Sequence, residues 1–200
     1  MNESREHILK VALILFLQKS FKEVTMKEIV EKTGLSKGAF YHYFSSKEEL
    51  FNEIIRSFYL KMMTVEFEKF NKDSFSHFYH DYVDYVMGEF MGLKDLLNDT
   101  NDEDDINYFI LAFDAMNIVP GFNEKVREHH ARELAAWAEA VARGKASGEL
   151  NTVMTDEQIA RMFVYSSDGI GLHLIQEGRV RQLGKEMLAL WDGFYNQIKR

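Results

Sequence analysis

The sequence of 200 residues lacks cysteine and contains a single proline. Without cysteine the chain forms no disulfide, holds no thiolate metal site and performs no thiol catalysis. One proline and no long polar tract leave little room for a disordered segment or a flexible linker. No apolar run approaches the ~20 residues that cross a bilayer, and the N-terminal residues lack the apolar core of a signal peptide. We therefore expect a cytoplasmic globular protein without a membrane partner.

Patterns of catalysis are missing as well. No nucleophile–base pair and no phosphate-binding loop is recognisable in the chain. The one candidate for a dinucleotide fingerprint, Gly169 with Gly171, lies in an apolar helical stretch and does not follow a strand. The sequence therefore predicts no enzyme activity and no cofactor.

Four side chains that can ligate metals, His77, His80, Asp81 and Asp84, are spaced to share one face of a helix. This spacing is compatible with a divalent metal ion. The opposite face would carry an apolar stripe, so the same pattern is expected of an ordinary solvent-exposed helix surface. We favour the surface interpretation and predict no metal site.

Positive charge is scarce outside the first quarter of the chain. The net charge is -8, with 24 Lys and Arg against 32 Asp and Glu. Residues 1–50 contain eight basic and seven acidic side chains, a balance of +1, which leaves 16 basic against 25 acidic, a balance of -9, for residues 51–200. Only the first quarter could approach a phosphate backbone, and its affinity would depend on local placement of charge.

Apolar residues recur at helical spacing along the chain, and no stretch keeps the alternation of a strand. The pattern predicts an all-α fold of about nine helices. A first helix is expected from about Ser4 to Lys19, and a long fourth helix from Lys47 to about Phe70.

The segment 25–50 is the most densely marked part of the sequence. Thr25, Ser36 and Ser46 are predicted N-caps, and glutamates three residues after the first and the last are predicted to complete capping boxes. Gly34 stands where a helix must end in a tight turn. A helix, a tight turn and a second helix with a polar start are the parts of a DNA-binding helix-turn-helix.

The second of these helices is expected to present one side to the DNA groove and the other to the core of its domain. Ser36, Lys37 and the small residues after them would form the exposed start, where the backbone can approach DNA and the lysine can reach a phosphate or a guanine edge. Phe40 and Phe44 are expected to point back into the domain as apolar anchors.

The run TGLSKGAFYHYFSSKEELF resembles the helix-turn-helix signature of the TetR family of bacterial transcriptional regulators, and the likeness covers roughly the first 55 residues. It implies an all-helical homodimer, with an N-terminal three-helix helix-turn-helix domain at 1–50 and a C-terminal ligand-binding and dimerisation domain at 51–200. Position in the motif implies DNA contacts to palindromic half-sites. The implied DNA-binding residues are Thr25, Ser36, Lys37, Gly38, Tyr41, His42 and Lys47. The family often has tyrosine where this chain has His42.

Aromatic residues and methionines crowd the middle of the chain, and core packing accounts for most of them. Some are expected to line an apolar effector pocket with sparse polar groups. The predicted pocket residues are Met62, Tyr82, Tyr85, Phe90, Phe109, Phe113, Asp114 and Asn117. Rings beside a carboxylate would suit a cationic or amphipathic aromatic effector.

The last two helices carry a large apolar surface that predicts a four-helix dimer interface, the alternative being a purely internal core. The predicted interface residues are Phe163, Ile170, Leu174, Leu183, Met187, Leu190, Trp191 and Phe194. The sequence thus predicts a ligand-responsive dimeric repressor whose partners are double-stranded operator DNA, a small-molecule effector and a second copy. The alternative is a DNA-binding architectural or interaction protein without an effector.

Overall fold

A computed structural model describes residues 3–97 and 108–200, and in these residues the fold is all-helical, as predicted. The helices are α1 (Glu3–Gln18), α2 (Met26–Thr33), α3 (Lys37–Tyr41), α4 (Lys47–Ile54), α5 (Phe75–Leu97), α6 (Tyr108–Ile118), α7 (Phe122–Ala146), α8 (Asp156–Gln176) and α9 (Leu183–Ile198). Short 3₁₀ turns occur at Phe67–Lys69 and Val180–Gln182. The described ranges contain no strand, only one isolated bridge between Leu150 and Lys199. No helix within them is long and apolar enough to span a bilayer.

The predicted N-caps of the N-terminal helices are confirmed. The hydroxyls of Thr25, Ser36 and Ser46 accept hydrogen bonds from backbone N–H groups three residues later, at 3.1, 3.3 and 3.1 Å. Gly34 ends α2 with φ of 67°, a left-handed conformation that favours glycine.

Only the hydroxyl half of the two predicted capping boxes is present. The carboxylate of Glu28 pairs with Lys19, and that of Glu49 accepts both the N–H and the hydroxyl of Ser45, at 2.8 and 2.7 Å. The hydroxyl hydrogen bond from Ser45 lowers the pKa of Glu49. Each glutamate thus stabilises the start of its helix through Lys19 or Ser45, and not by accepting the backbone N–H of the N-cap residue.

The prediction of one long helix from Lys47 to Phe70 is wrong. After Ile54 the helix widens into a π-helical stretch, Ile55–Tyr59, and it ends after one more α-helical turn at Met62. Phe67 and Phe70 lie beyond that end and pack on the rings of Phe78 and Tyr82. The packing of these two rings against another core outweighs the helical periodicity that suggested continuation.

The chain forms two compact units. The first contains the described residues within 1–64 and 95–126, and the second those within 65–94 and 127–200. Residues 51–64 and 108–126 therefore pack with the N-terminal helices, so the compact units do not follow the expected division at residue 50. That division concerns function and stays a prediction.

Each unit has its own aromatic core. In the first unit the rings of Phe16, Phe21 and Phe51 meet with centroids 5.0 to 5.9 Å apart. In the second, Trp137 and Trp191 are buried among aromatic side chains from α5 and α8. Burial of rings of this size is the main stabilising contribution available to each unit.

Candidate DNA-binding surface and sensing core

The start of α3 forms an exposed polar surface. Phe40 and Phe44 are 0% and 2% exposed, so they anchor the helix in the first unit as predicted. The opposite side is open to solvent. Its exposed residues are Ser36, Lys37, Gly38, Ala39, Tyr41 and His42. With α2 across the turn from it, α3 has the two-helix geometry that docks in a major groove.

The glycine in this surface is not required by the fold. A Cβ added at Gly38 would meet no atom within 4 Å, and the residue is exposed. Lys37 precedes it and His42 follows at the end of the helix, so small and polar groups occupy the side that a groove would face. Thr25, the exposed N-cap of α2, adds a hydroxyl at the first helix.

Lys47 differs from the other predicted contacts because its ammonium is turned toward the protein. Its Nζ donates to the carbonyl oxygens of Phe21 and Val24, both at 2.7 Å. The same nitrogen lies 4.2 Å from the centroid of the Phe21 ring. In this structure Lys47 therefore ties the start of α4 to the loop between α1 and α2, and its DNA contact stays a prediction.

Asp114 holds the same loop from the other side. Its Oδ2 accepts the backbone N–H of Phe21 at 2.6 Å. Phe21 is thus bonded through its N–H to α6 and through its C=O to α4. The sequence had placed Asp114 in the effector pocket, but its carboxylate is used to attach α6 to the helix-turn-helix.

The predicted pocket residues are divided between the two compact units, and their grouping into one pocket stays a prediction. Met62, Phe109, Phe113, Asp114 and Asn117 belong to the first unit, whereas Tyr82, Tyr85 and Phe90 belong to the second. Phe113 is 54% exposed, and the exposed amide of Asn117 donates to the carbonyl of Phe113. The side chain of Met62 lies outside what the structure describes.

Glu133 is a buried polar residue of the second unit that the sequence pattern did not identify. Glu133 on α7 is 5% exposed, and its Oε1 accepts the hydroxyl of Tyr82 at 2.8 Å. Nε2 of His129 lies 3.6 Å from its Oε2. Burial raises the pKa of Glu133 to about 7, although the Tyr82 hydrogen bond acts in the opposite direction. The helical spacing could have indicated its burial, because Glu133 lies one turn before the buried Trp137.

Five of the eight residues predicted for the dimer interface are instead packed inside a single chain. Phe163, Leu174, Leu183, Met187 and Trp191 are at most 4% exposed, because they form the inward stripes of α8 and α9. A side chain in the chain's own core cannot also present a surface to a second copy.

The outward face of the same helices is apolar as well. Met162, Tyr165, Leu172 and Leu190 are between 38% and 57% exposed. Ile170 and Phe194, also predicted, are half-buried. The apolar surface expected of α8 and α9 thus exists, but mostly through other residues.

The helix face suggested for metal ligation has other contacts. Asp81 accepts the backbone N–H of Asn71 at 2.6 Å, and Nδ1 of His80 lies 2.8 Å from the Ser76 carbonyl. Among the described residues, no group of three or more His, Asp and Glu side chains is arranged to hold a metal ion.

The geometry of α2 and α3, with buried aromatic anchors and an exposed polar helix start, defines a helix-turn-helix DNA-binding protein. Residues 8–54 match the family described as bacterial regulatory proteins, tetR family. Over these residues the chain has the DNA-binding region of the TetR family of bacterial transcriptional regulators.

Some known proteins are similar to most of the chain, and others only to a short part of it. YfiR of Bacillus subtilis, an HTH-type transcriptional regulator, is 28% identical over 84% of this chain and 78% of its own length. The repressor KstR2 of Mycobacterium tuberculosis is 33% identical, but the match covers only 29% of each chain. A transcriptional regulator of Saccharomonospora viridis, solved in complex with choline, has a TM-score of 0.68 at 14% identity over the full length of both chains. At that identity the likeness shows the fold alone.

Proposed function

We propose that the protein is a cytoplasmic, homodimeric repressor that leaves its operator when a small-molecule effector binds, and that it has no enzyme activity. The observation that carries this proposal is the attachment of Phe21. Its N–H is bonded to Asp114 of α6 and its C=O to Lys47 of α4. A displacement of either helix therefore acts directly on the loop that precedes α2.

The DNA contacts follow from exposure and charge. Lys37 and the small residues after it face outward, and the first quarter of the chain carries the only positive balance. Tyr41 is 43% exposed at the opposite end of α3, where a phosphate or a thymine methyl is within reach of such a side chain. We assign Lys37, Gly38, Tyr41 and His42 to the groove, and Thr25 and Ser36 to the flanking phosphates.

Dimerisation supplies the second half-site that useful specificity needs. The outward apolar face of α8 and α9 supports this role, since isolated apolar side chains are ordinary but a row along two helices is a typical interface. Half-sites lie about one helical turn, ~34 Å, apart, so a small change in the separation of two α3 helices is enough to weaken binding.

A small-molecule effector is supported by the fold and by its relatives. The similar S. viridis regulator binds choline in its crystal, so a protein of this fold holds a small organic cation. In this chain the polar groups suited to an effector lie in the second unit around Glu133. If no small molecule alters DNA binding, the alternative of an architectural DNA-binding protein gains support.

The experiment begins with selection of bound sequences from random duplex DNA by the full-length protein. Affinity for the selected operator is then measured by fluorescence anisotropy for the wild type, Lys37→Ala and the control Lys185→Ala, an exposed lysine on α9. We expect Lys37→Ala to weaken binding by ~1–3 kcal/mol for each half-site. If the wild type and Lys37→Ala bound the operator with equal affinity, α3 would not be part of the DNA interface. Failure to select any DNA sequence would refute the proposal.

A further inference from the structure

The core of the second unit contains three polar groups that packing alone does not need. Glu133 and Trp137 lie one turn apart on the buried side of α7, at 5% and 0% exposure. Tyr82 of α5 contacts both, with its hydroxyl 2.8 Å from Glu133 and its ring centroid 5.1 Å from that of Trp137. A carboxylate, a phenol and an indole N–H thus share one buried region.

In the described part of the chain, the indole lacks a hydrogen-bond acceptor, and the carboxylate lacks a lysine or arginine as counter-ion. Among the described residues, the indole Nε1–H of Trp137 has no hydrogen-bond acceptor. No lysine or arginine in those ranges pairs with Glu133, and the nearest basic group is His129 at 3.6 Å. A buried donor without an acceptor lowers stability, and a buried charge without a counter-ion lowers it more.

The surroundings are aromatic. Phe67 and Phe70 lie 6.4 Å from the Tyr82 ring, and Trp191 lies 5.9 Å from it, between centroids. Ring faces attract cations, and a cation beside a buried carboxylate replaces the counter-charge that the protein does not supply. An acceptor atom on the same molecule would satisfy the indole N–H.

We propose that Glu133, Tyr82 and Trp137 form the recognition end of the effector site, and that its ligand is a small organic cation that also carries a hydrogen-bond acceptor. That this ligand acts as an effector rests on the proposed function. The cation approaches Oε2 of Glu133, while Tyr82 keeps Oε1 in place. Trp137 donates to the acceptor atom of the ligand.

The titratable groups that face Glu133 give the site a pH signature. These are Tyr82 from α5, His129 from α7 and Asp168 from α8, the last of which adds negative charge near the carboxyl. Because the pKa of Glu133 is raised to about 7 by burial, only a minority of sites are ionised at pH 6 and most are at pH 8. Cation affinity should therefore rise about tenfold between these pH values.

Three isosteric probes separate charge from hydrogen bonding. (2-Methoxyethyl)trimethylammonium has both a cation and an ether oxygen, butyltrimethylammonium has only the cation, and 1-methoxy-3,3-dimethylbutane has only the oxygen. Calorimetric titration of the full-length dimer should give the order of affinity in which they are named. Equal affinity for the cation and its neutral isostere, or no binding of either cation at pH 8, overturns the proposal.

Variants assign the signal to residues. Glu133→Gln should lose the preference for cations and the pH dependence together, while His129→Gln should keep both. Trp137→Phe should weaken the methoxy probe about tenfold and leave butyltrimethylammonium unchanged, as expected for one hydrogen bond of ~1.4 kcal/mol. A pH dependence that survives Glu133→Gln contradicts the assignment.

Measurement of operator affinity with and without the cations distinguishes failure of this inference from failure of the proposed function. If the cations bind as described but operator affinity does not change, the site stands and the repressor mechanism fails. If the operator is bound and no cation is, this inference fails and the DNA-binding function stands.

Discussion

Gly38 offers a test in which stability and DNA binding are expected to change in opposite directions. The residue is inside α3, is exposed, and has no atom within 4 Å of where a Cβ would lie. Glycine in a helix is less stable than alanine by roughly 0.5–1 kcal/mol. Nothing in the protein therefore opposes Gly38→Ala, and the variant should unfold at a denaturant concentration equal to or higher than that of the wild type.

Binding should respond differently, because the methyl group projects where the backbone is expected to approach the groove. A disturbed contact in a protein–DNA interface costs roughly 1–3 kcal/mol. A dimer carries the substitution twice, so the loss is about 2–6 kcal/mol, which is at least tenfold in Kd.

Urea unfolding and operator anisotropy at fixed salt measure the two effects on the same preparation. Gly88→Ala is the matched control, since Gly88 is an exposed helical glycine of α5 with nothing within 4 Å of its Cβ position. It should gain similar stability without loss of binding. Wild-type operator affinity in Gly38→Ala would refute the close approach of this backbone to DNA.

Four further outcomes are expected. Leu190→Glu should make the protein monomeric in light scattering at a concentration where Val153→Glu, a change at a fully exposed site, remains dimeric. Asp114→Ala removes the charged acceptor that lies 2.6 Å from the Phe21 N–H, and it should lower the free energy of unfolding by ~1–2 kcal/mol. The effector should also release this variant from the operator less completely. Full release would contradict the role of Asp114 in coupling α6 to the helix-turn-helix. Glu149→Gln should cost ~1–3 kcal/mol in urea unfolding, since its carboxylate accepts two backbone N–H groups at the start of α5. Glu133→Gln should abolish the loss of stability that the wild type shows as pH rises from about 4.5 to about 7, because the folded-state pKa lies above the unfolded one; an unchanged pH profile would contradict this.

The helix-turn-helix could be predicted nearly in full because its determinants are local. Thr25 and Ser36 cap the residues that follow them directly, and Gly34 adopts the positive φ that its position in the turn demands. Where a helix boundary is decided by residues within one turn, sequence is sufficient.

The end of the helical segment that continues from α4 to Met62 could not be predicted in this way. No glycine or proline marks the stop after Met62, and helical periodicity continues beyond it. The stop is decided by Phe67 and Phe70, which gain more from packing on Tyr82 than from extending a helix. Such a boundary depends on contacts distant in sequence, which periodicity does not contain.

The same limit applied to the site residues. Periodicity identified α8 and α9 as strongly apolar, but it did not tell the inward stripe of Trp191 from the outward position of Leu190. It also assigned the sensing carboxylate to Asp114, which instead bonds the N–H of Phe21, and passed over Glu133. Two apolar faces on one helix, and an acid within an apolar stripe, are separated only by the packing of the folded chain.

The choice of glutamate at position 133 is not explained by the packing of the second unit. Glutamine has nearly the same shape, and its carbonyl oxygen would accept the Tyr82 hydroxyl as the carboxylate does. The acid adds only a charge whose burial lowers stability above pH 7, since burial raises its pKa to about 7. Because a destabilising charge in an aromatic core gains a favourable interaction only when an opposite charge reaches it, the carboxylate is better suited to recognising a cation than to holding the fold together.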